Sequence, residues 1–504
     1  MRLNILITSL VFLPFLYFAI GNFESLSLAE FLVLLATPIT ILLICMIVLL
    51  ITKFLFHRKV YRTLGLVIGI GIFMGFNYAL LSLDKVLYLG LTLFLILFIP
   101  FLYFKFNEVR NTFENLIFVV ISVCIIQLGY LQFTSFNQFD TKDDLKLYSS
   151  LNDYEIANNR NYPNIYIFIL DAYSSDKELL HLGFDNSKIS KELSEKGFQI
   201  SKNSKANFLE TFRSMYTFWS MQYPELEKSK PYFQRSSLVR IMNSENTTIN
   251  SLKYLGYQHI KVGPNQSTYL DCSGIEDVCL FKLNNFDGTS GGISNNIFLQ
   301  ILKMTPLYNI AMSLFGLERD VYTKATLEKV KEELVSQRSK FNSPYLLSVN
   351  VWQPHAPYIY NSDCTKLDKP HSYDISWKTE MIPSYINSTK CVNKQLNELI
   401  DLIVKDDPDG IILIQSDHGH NFYLDGEPKF ENWSDNEIES RASIYWAIRV
   451  PNRCKNIFYD GISPVNSMRL IFACLLDEPV SFLDDISYAH SLNKLNSEYK
   501  LIKD

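Results

Sequence analysis

The first 133 residues are close to continuous apolar sequence, and no other feature limits the fold as strongly. A helix crossing the hydrocarbon core of a bilayer needs about 20 consecutive apolar residues. Five runs approach or exceed that length, over 4–20, 30–52, 64–83, 86–104 and 116–133, so residues 1–133 read as a transmembrane domain of five helices. The first run comes after Arg2 as a secretory signal would. No small-residue cleavage site closes it and more spans lie beyond it, so it reads as a retained anchor. The spans hold few ionisable groups, Asn77 being the main interior polar residue, which argues against a transport pathway.

Basic residues set the orientation. Lys53, Arg58, Lys59 and Arg62 lie between the second and third runs, and Lys105 and Arg110 between the fourth and fifth. The link 21–29 has no Lys or Arg, and the third link is only Asp84 and Lys85. The positive-inside rule therefore puts the N-terminus in the cytoplasm, and five crossings put the chain beyond residue 133 outside. Residues 134–160 read as a polar linker and 161–504 as an extracytoplasmic domain large enough for a sizeable core. The chain carries 47 Lys and Arg against 52 Asp and Glu, with no basic stripe, so no nucleic-acid partner is expected. Six cysteines fall in the outer part, where Cys272 and Cys279 flank a short loop, Cys364 and Cys391 another excursion, and Cys454 and Cys474 lie near the end. An even set outside the cell points to disulfides, with buried free thiols as the alternative. No CxxC pair marks a zinc knuckle.

The outer domain alternates short buried-strand runs with helical patterns. Strands are expected at 164–170, 257–263, 344–352, 410–416 and 443–450, and helices at 187–198, 325–340 and 383–405. That alternation predicts an α/β outer domain, a mostly parallel central sheet with helices on both faces. In such folds ligands collect beyond the carboxyl ends of the strands. Asp171 stands at the tip of the first strand, Asp417 and His418 come directly after GIILIQS, and His355 comes after VNVW in the turn QPHAPY. Thr211 and Ser214 open the helix-like run NFLETFRSMYTFW. Singly these are ordinary cap, turn and packing residues. Jointly, two carboxylates, an imidazole and a hydroxyl from separate strand ends suit one divalent cation, with Zn, Mn, Mg and Ca not distinguished. The hydroxyl beside it is then a nucleophile, Thr211 first and Ser214 as rival. His355, His420 and Arg441 are the candidate substrate contacts, though Arg441 equally suits an acidic surface neighbour. The aromatic run 215–224 reads as core before it reads as a lipid or sugar pocket.

The stretches PNIYIFILDAYSSD, GFDNSKISKELSEKGFQISKNSKANFLETFRSM, QPHAPY, SDHGH and RASIYWAIRVP, in that order, resemble the alkaline-phosphatase superfamily and its membrane-anchored sulfatase-like branch. The five-span anchor adds a likeness to lipoteichoic-acid synthases and phosphoethanolamine transferases. The resemblance implies a metal held by Asp171, Thr211, Asp417 and His418, with Thr211 as nucleophile and His355 on the substrate side. LETFRSM stands where sulfatases proper carry a Cys or Ser in C/S-x-P-S-R, so formylglycine chemistry is not expected. Many such transferases begin the site with Glu, where this chain has Asp171. The expected activity is transfer or hydrolysis of phosphoryl-linked groups at the inner or plasma membrane. A membrane lipid is the expected donor and an envelope glycan or lipid the acceptor. The alternatives are a sulfuric or phosphoric ester hydrolase acting on extracellular polysaccharide, and an envelope assembly protein without catalysis.

Overall fold

The computed structural model describes residues 2–22, 28–55, 58–77, 85–137, 162–224, 244–262, 275–280, 326–368, 378–422, 433–477, 481–490 and 499–502, with a few isolated residues between them. The expected linker lies outside the described residues from 138 onward. The chain forms two compact units, one of Met1–Thr141 with Asn285–Glu318 and one of Lys142–Asn284 with Arg319–Asp504.

Five helices make up most of the first unit: Arg2–Asn22, Leu28–Leu55, Arg58–Phe76, Lys85–Lys105 and Asn107–Asn137. Three stretches, Phe31–Phe54, Tyr88–Lys105 and Asn107–Tyr130, are long and apolar enough to cross a membrane, while Ile5–Ile20 and Val60–Phe76 are shorter apolar helices. The first and third helices meet through Leu6, Ile7, Leu10, Leu66 and Ile70. Gly65 makes this approach possible, since a Cβ there would lie 2.9 Å from Ile7 Cδ1. Leu43, Ile47, Leu97 and Ile126 are exposed, the pattern of helices that are apolar all round and face hydrocarbon. Ile301 packs in a cluster with Phe15, Ala19 and Leu34, so a residue from far along the chain returns to this unit.

The second unit is built on a seven-stranded sheet. In chain order its strands are β1 (Ile165–Leu170), β2 (Gln199–Ser201), β5 (Gln258–Val262), β6 (Val278–Leu280), β7 (Tyr345–Val351), β8 (Ile411–Ser416) and β9 (Trp446–Arg449). Two small antiparallel pairs lie apart from it, β3 (Leu226–Glu227) with β4 (Lys230–Pro231) and β10 (Ser487–His490) with β11 (Tyr499–Ile502). The sheet order is β2-β9-β8-β1-β7-β5-β6. Strands β8, β1, β7, β5 and β6 pair in parallel, and β9 is antiparallel to both β8 and β2. The mostly parallel sheet expected from the sequence is present. The short edge strands β2 and β6 were not anticipated, because three residues carry too little pattern to read.

Both faces are covered, which is why the central strands are apolar throughout rather than alternating. Phe168, Leu170, Leu347, Val349, Ile412 and Ile414 pack against the helices Ser187–Glu195, Leu327–Ser336 and Ile382–Asp406. On the other face Ile167, Ile169, Leu346 and Leu413 meet Thr211–Ser220, Thr247–Tyr254 and Pro464–Leu476. Met215, Phe218 and Trp219 belong to that second core, so the aromatic run packs inward.

Three disulfides join Cys272 to Cys279, Cys364 to Cys391 and Cys454 to Cys474, while Cys45 and Cys124 are free and buried. Alkylation of the SDS-denatured protein should therefore label two cysteines without reductant and all eight after reduction, read by intact mass. More than two labelled without reductant would remove this bonding pattern.

Candidate active site

The site is a consequence of register. Leu170 pairs with Ser416 on one side and with Val351 on the other, so the residues after β1, β7 and β8 emerge side by side. Asp171 is the first residue past β1; its N–H donates to Val351 O at 3.0 Å, and its carbonyl accepts the His355 N–H at 3.1 Å. Asp417 is the first residue past β8. Its Oδ1 accepts the N–H groups of Ala172 (3.1 Å) and His418 (2.9 Å), which fixes the carboxylate. Ser416 braces the same turn, its hydroxyl donating to the Leu170 or His418 carbonyl (both 2.7 Å) and accepting the Tyr173 N–H at 2.8 Å.

His418 carries the decisive detail. Its Nδ1 lies 2.9 Å from Gly419 O, and a carbonyl only accepts, so Nδ1 bears the proton and Nε2 a lone pair. Around Nε2 stand Asp171 Oδ1 at 3.5 Å, Asp417 Oδ2 at 3.6 Å and Thr211 Oγ1 at 3.5 Å. Potential ligand atoms of Asp171, Asp417 and His418 lie within 4.8 Å of one another. Asp417 Oδ2 is buried and has no hydrogen-bond partner among the described residues. A desolvated carboxylate oxygen without a donor is costly unless a cation neutralises it. Two carboxylates, one neutral imidazole and a nearby hydroxyl thus form a donor set that fits a divalent ion. Burial, then the charge of Arg441, holds the His418 imidazole well below its ordinary pKa, so it stays a neutral ligand.

Thr211 is the first residue of the helix Thr211–Ser220, and its hydroxyl is not needed as a cap. Glu210 is the N-cap, its carboxylate accepting the Arg213 N–H at 3.1 Å. The half-buried Thr211 hydroxyl is turned to His418 at the positive end of the helix dipole. The rival Ser214 is fully buried one turn further along, within the core. His355 donates Nδ1–H to Ala356 O at 2.7 Å and its ring lies 6.1 Å from that of His418, centroid to centroid. Burial first, then the neighbouring His418, brings His355 down to about 3, so its ring is neutral and its Nε2 an acceptor.

Arg441 is buried in the site, not paired at the surface. It lies near the end of the helix Asp435–Ala442 and donates Nε–H to Leu209 O (2.9 Å), Nη1–H to Gly419 O (3.1 Å) and Nη2–H to His418 Nε2 (3.2 Å). His420 has a different setting. It is fully buried, its N–H donates to Ser174 Oγ at 3.0 Å, and its Nε2 lies 3.7 Å from Glu178 Oε2. Its ring packs with Tyr385 and Phe422, surroundings that support the loop. Tyr385 went unnoticed in the sequence because it lies on the apolar stripe of a long helix. Its hydroxyl donates to Ala172 O at 2.7 Å and accepts the Ser174 N–H at 3.2 Å, clamping the turn after Asp171. Ala172 there has φ +60°, a strained value for a residue with a side chain.

In a mostly parallel α/β domain the carboxyl ends of adjacent strands are where ligands gather, and this cluster stands there. The family model described as Sulfatase matches residues 163–447, and the chain belongs to that family. No curated protein matches the chain. Among solved structures it is similar to the C-terminal periplasmic domain of EcEptC from Escherichia coli in complex with Zn, at 13% identity over 68% of this chain and 93% of that one, with a TM-score of 0.42. The integral membrane protein lipooligosaccharide phosphoethanolamine transferase A from Neisseria meningitidis is similar at 10% identity over 94% and 95%, with a TM-score of 0.39. The lipoteichoic acid synthase LtaP from Listeria monocytogenes is similar at 12% over 66% and 76%, with a TM-score of 0.34.

Gly419 is required by crowding. A Cβ there would lie 2.2 Å from Ser440 O and 2.7 Å from Ser443 O, and both obstacles are backbone. Gly419→Ala should cost about 1–3 kcal/mol by overpacking, read as a lower thermal midpoint in detergent; an unchanged midpoint would contradict the packing described.

Proposed function

We propose that this chain is a membrane-anchored enzyme that transfers or hydrolyses a phosphoryl-linked group taken from a membrane lipid, through Thr211 as nucleophile. The supporting observation is the convergence of Asp171, Asp417, His418 and the Thr211 hydroxyl on one point. Basic links on one side of the apolar runs, and three disulfides in the sheet domain, support an extracytoplasmic site. An anchored site of that kind stays within reach of a substrate confined to the bilayer.

Asp171, Asp417, His418 and the Thr211 hydroxyl would hold one divalent cation. Such an ion supplies Lewis acidity and lowers the pKa of a bound hydroxyl. Thr211 Oγ1 attacks phosphorus as its proton passes to neutral His355; the phosphorus–oxygen bond to the lipid breaks, His355 returns that proton to the departing lipid oxygen, and the phosphoryl group rests on the threonine. The helix N-terminus beneath Thr211 and the guanidinium of Arg441 oppose the negative charge that builds on the equatorial oxygens. In the second half-reaction neutral His355, its Nε2 an acceptor, takes the proton of the incoming hydroxyl, the Thr211 Oγ1–phosphorus bond breaks, and that proton restores the Thr211 hydroxyl. That hydroxyl belongs to an envelope glycan or lipid for transfer, and to water for hydrolysis. Membership of the sulfatase family favours hydrolysis of a sulfuric or phosphoric ester as the second reading. No cysteine lies in the Thr211 segment for conversion to formylglycine.

The test uses a lipid donor radiolabelled in the phosphoryl group. The wild type should trap label on the protein, and Thr211→Ala should trap none while its thermal midpoint in detergent stays near that of the wild type. Label retained in Thr211→Ala overturns the nucleophile assignment. Faster turnover of a chromogenic sulfate than of a phosphodiester analogue supports the hydrolase reading.

A further inference from the structure

We infer that Arg441 is a built-in placeholder for the cation: its Nη2 and a divalent ion compete for the single lone pair of His418, so ion binding releases that donor toward the substrate's anionic oxygens. This rests on reading Asp171, Asp417 and His418 as the cation ligands.

The proton on His418 limits what the ring can bind. Because Gly419 O takes the Nδ1 proton, His418 has one acceptor site, Nε2, in the plane of the ring. Arg441 Nη2 fills that site from 3.2 Å. An ion and an N–H cannot share one lone pair, so cation binding breaks this hydrogen bond. The guanidinium does not leave with it. Nε–H on Leu209 O and Nη1–H on Gly419 O are independent anchors, both to backbone, and the residue is only 5% exposed. What changes is the employment of Nη2. Its donor is committed to an imidazole nitrogen before the ion binds and stands beside Thr211 Oγ1 and the ligand cluster afterwards. Guanidinium forks are well matched to phosphate oxygens.

Cation and anion binding are coupled as a result. A fixed positive charge at the ligand cluster opposes cation binding, so part of the cation affinity is forfeited while the anion is absent. An anion that takes up the released donor recovers that loss, so cation and anion strengthen each other, reciprocally as linkage demands. Arg441 offsets only one of the two negative charges of Asp171 and Asp417, so without the ion the site is poor at capturing anions. Arg441 in this role is a positioning and coupling residue as well as a substrate contact.

Titration calorimetry of the full-length protein in detergent, with Mn2+ and inorganic phosphate as probes, tests this without any turnover. Phosphate should bind the ion-free wild type at least about tenfold more weakly than the Mn2+-loaded protein. Arg441→Met and Arg441→Gln remove the placeholder, the second keeping an amide donor for the Leu209 carbonyl. Either variant should bind Mn2+ about fivefold or more tightly than wild type, and phosphate should then sharpen Mn2+ binding much less than it does in wild type. Unchanged or weaker Mn2+ binding in folded variants overturns the inference while leaving the ligand set standing. Equal phosphate binding with and without Mn2+ in the wild type also overturns it, independently of any variant. If wild type and Asp417→Asn bind Mn2+ alike, the ligand reading itself falls, and the placeholder with it.

Discussion

The parallel pairing of β1 between β7 and β8 is the interaction on which the rest of the site depends. A parallel ladder advances every strand in the same direction, so three carboxyl ends come out together. Leu170 aligned with Ser416 and Val351 brings Asp171 and Asp417 into adjacent positions, with the His355 turn hydrogen-bonded to the Asp171 carbonyl. A one-residue slip would turn each of these side chains to the opposite face and put a carboxylate where an apolar side chain belongs. The two apolar cores hold the register, because each face of the sheet accepts only one set of side chains.

Around those strand ends the protein arranges polar groups in a dry place and leaves few of them unanswered. Asp417 Oδ1 takes two backbone donors, Ser416 closes the turn, and the Gly419 carbonyl determines which nitrogen of His418 carries the proton. Two exceptions lie at the site itself. Asp417 Oδ2 has no hydrogen bond among the described residues, and Ala172 is held at positive φ between Asp171 and the Tyr385 clamp. Strain and an unsatisfied carboxylate oxygen are stabilities given up for a pre-formed site, and the packed sheet below supplies the margin.

The crowding at Gly419 links this site to the other side of the β8–β9 connection. The C-terminal carbonyls of the Asp435–Ala442 helix press on Gly419, and the Gly419 N–H donates to Arg441 O at 2.7 Å. The same helix then returns the Arg441 side chain to Gly419 O and His418 Nε2. His418 and Arg441 are therefore positioned by one shared contact, which ties the imidazole to the guanidinium geometrically.

Much of this was legible in the chain. The unbroken apolar runs specify apolar helices, three of them long enough to cross a membrane, and IYIFIL, YLLSVNV and IILIQS specify strands buried on both faces. Asp171, Asp417 and His418 could be picked out because strand ends of a parallel sheet are where side chains converge. The sequence already put Thr211 ahead of Ser214, and the structure adds that Glu210 caps the helix and that Ser214 is buried. Arg441 and His420 show the limit. Surface partner or site residue was undecided for Arg441 until three elements were brought around it, and His420, two residues from His418, is packed against Tyr385 and Glu178. Local pattern determines what each segment must become, since period and apolarity act along the chain. Which side chains share a lone pair or a buried charge is decided by contacts across hundreds of residues, and those exist only in the folded sheet.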